Sequence, residues 1–277
     1  MYDVLPNTEM VQKFYNGLAK KDLSAKTVKN VHGVLNSALT QAIDDNYIKK
    51  NPCAKRTLPR ISKKEIKVMD SDTVAAFLAA IAGHQFETLF FVDLFCGLRQ
   101  SEILGLTWSA VNFKAGTTLI DKQLVKSKID GRYFLDTAKH DKVRVIKPAS
   151  VVIDMLRARK AQQSAQQLRA GPAWSNEWGL VFTDELGSHL IHHTVRKHYK
   201  RIVADMGQPD LTFHALRHSY AVLSLLNGDD AKTVQTNLGH HSAAFTLDTY
   251  GHTTAEMQAA SAARMQGLIE KLQKNSG

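Results

Sequence analysis

Between residues 117 and 148 the sequence stops following helical spacing. "TTLIDKQLVKSK" and "RYFLDTA" read as strands, with Asp130-Gly131 as the hairpin turn between them, and "KVRVIKP" continues the same small sheet. On either side, apolar residues recur at helical intervals. Before the strands stand helices in "SDTVAAFLAAIAG", "FETLFFVDLFCG" and, just after Gly97, "LRQSEILGLTW". After them come helices over 149–169, 188–206, 214–227, 231–238 and about 254–272, with one short strand at Val181-Phe182. A strand island inside helices predicts a mainly α fold with a small antiparallel β-sheet, an α+β class.

Two further helices open the chain. Thr8 caps the first, which aligns Val11, Phe14, Tyr15 and Leu18. Ser24 caps the second, with Val28, Val31, Leu35, Leu39 and Ile43 on one face, and Asn51-Pro52 ends it. Then "KKNPCAKRTLPRISKKEIK", residues 49–67, carries two prolines, eight basic residues and one acid. It reads as an extended linker whose Lys55, Arg56, Arg60, Lys63, Lys64 and Lys67 lie along phosphates. The expected organisation is a helical domain over 1–52, a basic linker over 53–70 and a larger domain over 71–277.

Charge narrows the partners. Lys and Arg outnumber Asp and Glu 36 to 26, a formal net charge of +10 with a pI near 9.5. That excess attracts polyanions, nucleic acid first. Cys53 and Cys96 stand far apart and form no disulfide framework or paired-cysteine zinc motif, which points to a reducing cytoplasm. No run reads as a signal peptide or is long enough to span a bilayer.

Chemistry-bearing residues occur in four phrases. In "GLRQSEILGL", Arg99 begins a helix where free amides favour an anion, and Glu102 lies three residues on to brace it. "TAKHDKVRVI" places Lys139 at a hairpin tip. "HALRHSYAVLSLLNG" sets His214 and Arg217 on one helix face. "LGHHSAAFTLDTYGH" offers His240 after a left-handed Gly239, and Tyr250 beside Gly251. Taken singly, each has an ordinary explanation as surface ion pair, cap or packing residue.

The four phrases in this order closely resemble the tyrosine recombinases, or phage integrases, especially integrases of phages and conjugative transposons in Gram-positive bacteria. "DLSAKTVKNVHGVLNSALTQA" is similar to their core-binding domain. The resemblance implies that Tyr250 attacks a DNA phosphorus, leaving a 3′-phosphotyrosyl bond and a free 5′-hydroxyl. Arg99 and Arg217 would hold the phosphate, His214 accept the phenolic proton, His240 donate to the phosphate and Lys139 protonate the departing oxygen. Glu102 supports Arg99, and His218 falls outside the motif. Neither metal nor ATP is implied. The partner would be double-stranded DNA at attachment sites, with a homotetramer joined through the C-terminal helix and an accessory excision factor, in the bacterial nucleoid. The expected role is integrating or excising a mobile element. The resemblance also implies a chain that opens inside the core-binding domain, without the arm-binding domain, so that its two first helices expose apolar faces.

Three other readings differ from this one. A type IB topoisomerase would share the chemistry and reseal the same strand. A metal-dependent hydrolase would use the histidines at 189, 192, 193 and 198, of which His189 and His193 have i,i+4 spacing on one helix. A DNA-binding remnant would no longer cut.

Overall fold

The computed structural model describes residues 7–21, 23–61, 66–137, 143–239 and 255–274. The chain divides into two compact units, Met1–Glu65 and Ile66–Gly277.

The first unit is built on α1 (Thr8–Ala19) and α2 (Ala25–Asp44). Asn7, not Thr8, caps α1: its side-chain oxygen accepts from Met10 N–H at 2.9 Å, one residue before the expected cap. Ser24 caps α2 as expected, accepting from Thr27 N–H at 3.1 Å. Val11, Tyr15, Val28 and Cys53 form the buried centre, with Leu18, Leu35, Leu39 and Leu58 packed round it. The Tyr15 hydroxyl meets His32 Nδ1 at 2.9 Å and Cys53 Sγ at 3.3 Å. Met10, Phe14 and Val34 remain exposed, so Phe14 leaves the face it shares with Val11 in the helical pattern. The stretch from residue 53 to 58 is no free tether. Cys53 and Leu58 join the core, and Thr57 exchanges two hydrogen bonds with the Gln12 amide, each at 3.1 Å.

The second unit packs α3 (Ser71–Ile81), α4 (Glu87–Cys96) and α7 (His192–Asp205) around an aromatic centre. Phe77, Phe90, Tyr199 and Phe213 have ring centroids 5.4–6.2 Å apart. Helix α4 is apolar on nearly every side and is buried accordingly. It stops at Gly97, whose φ of 63° suits glycine and turns the chain into α5 (Gln100–Leu104).

The strand island folds as two small antiparallel sheets rather than one. Strands β1 (Val111–Asn112), β2 (Thr117–Ile120) and β5 (Arg144–Ile146) form one in the order β1-β2-β5; β3 (Lys122–Lys126) and β4 (Tyr133–Thr137) form the other. The expected single strand over 117–128 changes partner at Asp121, so "RVI" (144–146) pairs with "TLI" (118–120) and not with "YFLDT" (133–137). Asp130-Gly131 lies inside a wider loop, because pairing begins only at Lys126 opposite Tyr133 and Ser127 N–H bonds to Arg132 C=O at 2.8 Å. Ser127 Oγ accepts from Ile129 N–H and Asp130 from Arg132 N–H, each at 3.2 Å, and these local bonds hold the wider loop.

Helix α6 (Ser150–Ala170) buries Arg159 and Gln163, which donate to the carbonyls of residues 180–183. In place of the expected strand at Val181-Phe182 there are single bridges, Thr107 to Leu180 and Thr183 to His189. Helices α8 (Ala215–Asn227), α9 (Ala231–Leu238) and α10 (Ala255–Lys274) complete the unit. Among the described helices, none is long and apolar enough to cross a membrane.

Candidate functional site

Glu102 is the buried centre of the site. Its carboxylate is 3% exposed and receives Arg99 NH1 at 2.5 Å, Arg144 NH1 at 3.2 Å and Arg144 NH2 at 2.8 Å. Arg217 NH1 stands 4.0 Å away. Burial by itself would raise this carboxyl. The Arg144 hydrogen bonds and charge, helped by Arg99, overcome it and hold the group at about 2. Arg99 is the residue capping α5, and its own N–H donates to Glu102 Oε2 at 2.9 Å. The amide expected to be open for an outside anion is therefore already taken by a carboxylate of the same helix.

The same three arginines grip the end of α9. Its last carbonyls have no partner within the helix, and they form the negative end of its dipole. Asn237 C=O accepts from Arg144 Nε at 2.6 Å, Leu238 C=O from Arg217 NH2 at 2.6 Å, and Gly239 C=O from Arg99 NH2 at 3.0 Å. Three successive carbonyls thus meet three different guanidiniums. Gly239 has the expected left-handed φ, 62°. Arg217 NH1 also donates to Gly97 C=O at 2.7 Å, joining the end of α4 to the end of α9.

Arg99 and Arg217 thus converge on one carboxylate, but they are not equally accessible. The Arg99 side chain is 29% exposed and the Arg217 side chain 1%. His214 begins α8 at the surface and borders a groove of about 330 Å³ with Gln100, Arg196, Lys200, Thr212 and Phe213. The protein around its ring disfavours the charged form, and Arg217 and Arg99 disfavour it further, so its pKa is lowered. A neutral imidazole is the form that accepts a proton. One turn on, His218 sits edge-on to His214 with centroids 4.6 Å apart. Burial, then His214 and Arg217, pushes it down to about 4.

Lys139, His240 and Tyr250 lie outside the described residues, as do Lys63 and Lys64. Of the other expected phosphate contacts, Lys55 and Arg60 are exposed. Arg56 turns back onto its own unit, donating to Ala54 C=O at 3.1 Å and Thr8 C=O at 3.4 Å. Lys67, in the second unit, pairs with Asp210 at 2.6 Å on the surface.

Arg144 escapes a reading by motif. Its available signal is alternation: in β5, Arg144 and Ile146 face inward and Val145 outward, and an inward-facing arginine needs a buried anion. Asp93 was likewise missed. It is 1% exposed, neither carboxylate oxygen has a hydrogen-bond partner among the described residues, and burial holds its pKa well above the carboxylate range, with Arg217 opposing and Glu102 reinforcing. Of the histidines of the metal reading, His192, His193 and His198 lie on α7, but His189 precedes it and sets its ring 4.6 Å from that of Tyr133, tilted by 43°, so the helical i,i+4 relation with His193 is lost. Among the described residues, no three His, Cys, Asp or Glu gather to hold a metal.

The profile of the phage integrase family matches residues 67–257. A tyrosine recombinase XerC-like protein of Caldanaerobacter subterraneus subsp. tengcongensis is 29% identical over 275 residues, covering 94% of this chain and 70% of that protein. The ICEBs1 integrase of Bacillus subtilis is 24% identical over 264 residues, with the same two coverages. Among solved structures, the Tn1549 transposon integrase in complex with transposon right end DNA superposes with a TM-score of 0.78 at 21% identity, covering 96% of this chain and 87% of that one. The XerH recombinase in its post-cleavage complex gives 0.66 at 21% identity, covering 94% and 73%. The matched profile spans the α4–α5 turn, both small sheets and the arginine grip on α9, and the chain belongs to the phage integrase family of tyrosine-type site-specific recombinases.

Proposed function

We propose that this recombinase cuts double-stranded DNA through Tyr250 and rejoins it to a new partner strand, integrating or excising a mobile element. The phenolic oxygen forms the bond to phosphorus as the bond from phosphorus to the 5′-oxygen breaks. The phenolic proton passes to His214, and an ammonium proton of Lys139 goes to the departing oxygen. A phenol of ordinary pKa about 10 is a poor nucleophile at neutral pH, so an acceptor and a polarised phosphate must both be present. Arg99, Arg217 and His240 polarise it, countering the charge that grows on the non-bridging oxygens. The phosphotyrosyl ester keeps the energy of the broken diester, so a 5′-hydroxyl reverses the step without ATP or metal.

The observation that carries this reading is the convergence of Arg99 and Arg217 on Glu102, with His214 kept neutral beside them. The first unit serves as part of a core-binding domain, and the basic segment from Lys55 to Lys67 follows the backbone of the DNA. Helix α10 docks on a neighbouring protomer in a tetramer, with an accessory excision factor setting direction, in the nucleoid. The test uses a nicked suicide substrate bearing the attachment site. A covalent protein–DNA adduct is expected, and Tyr250→Phe abolishes it. Specific binding without any adduct would sink the catalytic reading and favour a remnant that only binds.

A further inference from the structure

Among the described residues, strand β4 lies at an edge, paired with β3 alone. Phe134, Asp136 and Thr137 are exposed, and two residues, Tyr133 and Leu135, pack toward the body of the unit. Leu135 is a plain apolar contact. Tyr133 instead enters an aromatic stack built from the segment before α7 and from its first residue. Its ring lies parallel to His192, with 10° between planes and 5.7 Å between centroids. It also lies 4.6 Å from His189, which is backed by Trp178 at 5.7 Å. Lys126, the cross-strand partner of Tyr133, puts its ammonium 5.8 Å from the Tyr133 ring.

The stack continues into the site. The backbone carbonyl of His192 accepts from Gln100 Nε2 at 2.9 Å, and Gln100 Oε1 accepts from Arg196 at 3.2 Å. Gln100 is the first residue of α5, directly after Arg99. One end of β4 is therefore tied, through Tyr133 and His192, to the helix that carries Arg99. The strand then runs to Thr137, two residues short of Lys139.

From this we infer that Tyr133 is a positioning residue for proton delivery: its stack on His192 holds β4, the strand that leads in the sequence to Lys139, against the helix that carries Arg99. The inference rests on the proposed role of Lys139. Aromatic faces suit the task because stacking fixes angle as well as distance. Transfer to a leaving oxygen needs the donor within hydrogen-bond reach, where a misplacement of about 1 Å costs up to about a hundredfold.

The test compares cleavage rates on a normal suicide substrate and on one whose scissile 5′-bridging oxygen is replaced by sulfur, a leaving group that needs no proton. Lys139→Ala is expected to lose about a hundredfold or more on the oxygen substrate and to recover on sulfur. Tyr133→Ala is expected to lose about tenfold on oxygen and come within about twofold of the parent on sulfur. Tyr133→Phe, which keeps the stack, should match the parent on both. Phe134→Ala, on the exposed side of the same strand, should show no difference between substrates. Equal losses of Tyr133→Ala on both substrates, or none on oxygen, overturn the inference while leaving Lys139 in its role. Failure of Lys139→Ala to recover on sulfur removes that role and the inference with it. If Tyr133→Ala fails to fold by thermal melting, Tyr133→Leu keeps the bulk without the aromatic face and carries the same comparison.

Discussion

Replacing Glu102 by Gln removes one negative charge and almost no volume. The carboxyl lies at about 2 in the folded chain against an ordinary 4.5, a difference that corresponds to about 3 kcal/mol of stability at neutral pH. Solvent does not discount this figure, because the group is 3% exposed. Losing one partner of a buried ion pair costs about 3–5 kcal/mol, so the two routes agree. For a unit the size of residues 66–277, about 3 kcal/mol lowers the melting temperature by about 6–12 °C. The pH dependence has a definite sign. A carboxylate with a depressed folded pKa contributes fully above 4.5 and loses its contribution as pH falls toward 2. Urea unfolding of parent and Glu102→Gln should therefore show a constant gap from pH 8 to 5.5, narrowing below 4.5 as the unfolded parent takes up a proton that the folded parent refuses until about pH 2. A gap that persists undiminished at pH 3, or no gap at neutral pH, would refute an ionised Glu102 as the counter-charge of the arginines.

Two other substitutions probe the surroundings of this network. At Gly97 a Cβ would lie 2.4 Å from Tyr220 Cδ1 and 2.8 Å from Leu238 Cδ2, at a φ of 63°. Gly97→Ala should cost about 2–4 kcal/mol in urea unfolding, backbone strain and overpacking together, and a cost below 1 would show that Tyr220 yields freely. Asp93 has a raised folded pKa, so its stability contribution is present at low pH and is lost as pH rises. Asp93→Asn, neutral at every pH, should remove the decline that the parent shows as pH rises above the ordinary carboxyl value of 3.8, so the variant gains on the parent between pH 4 and pH 6 in urea unfolding; a loss above about 2 kcal/mol at pH 6 would instead mean an ionised Asp93 paired with Arg217.

What the sequence disclosed follows from which interactions are local. The Arg99–Glu102 brace, the helix that starts just after Gly97 and the left-handed turn at Gly239 lie within single helical turns and their ends, where spacing speaks directly. Arg144 was hidden because its partners, Glu102 and Asn237, are 42 and 93 residues away. The break at Asp121 was hidden for a related reason. A run of alternating residues shows which face is buried but not which strand lies beside it, so one apparent strand serves two sheets. His189 matched a helical pattern yet was claimed by a bridge to Thr183 and by the Tyr133 ring. In each case a distant contact overrode a local regularity.

The hold on α9 also constrains when the enzyme becomes competent during its own synthesis. Its three arginines come from positions 99, 144 and 217, and they close on carbonyls at 237 to 239, across sequence separations of up to 140 residues. Contacts so far apart in the chain form late, since the intervening segments must first give up their freedom. A nascent chain still tethered at the ribosome before residue 239 has emerged lacks the last of these bonds, so Arg99, Arg144 and Arg217 come into register only when nearly the whole second unit has been released.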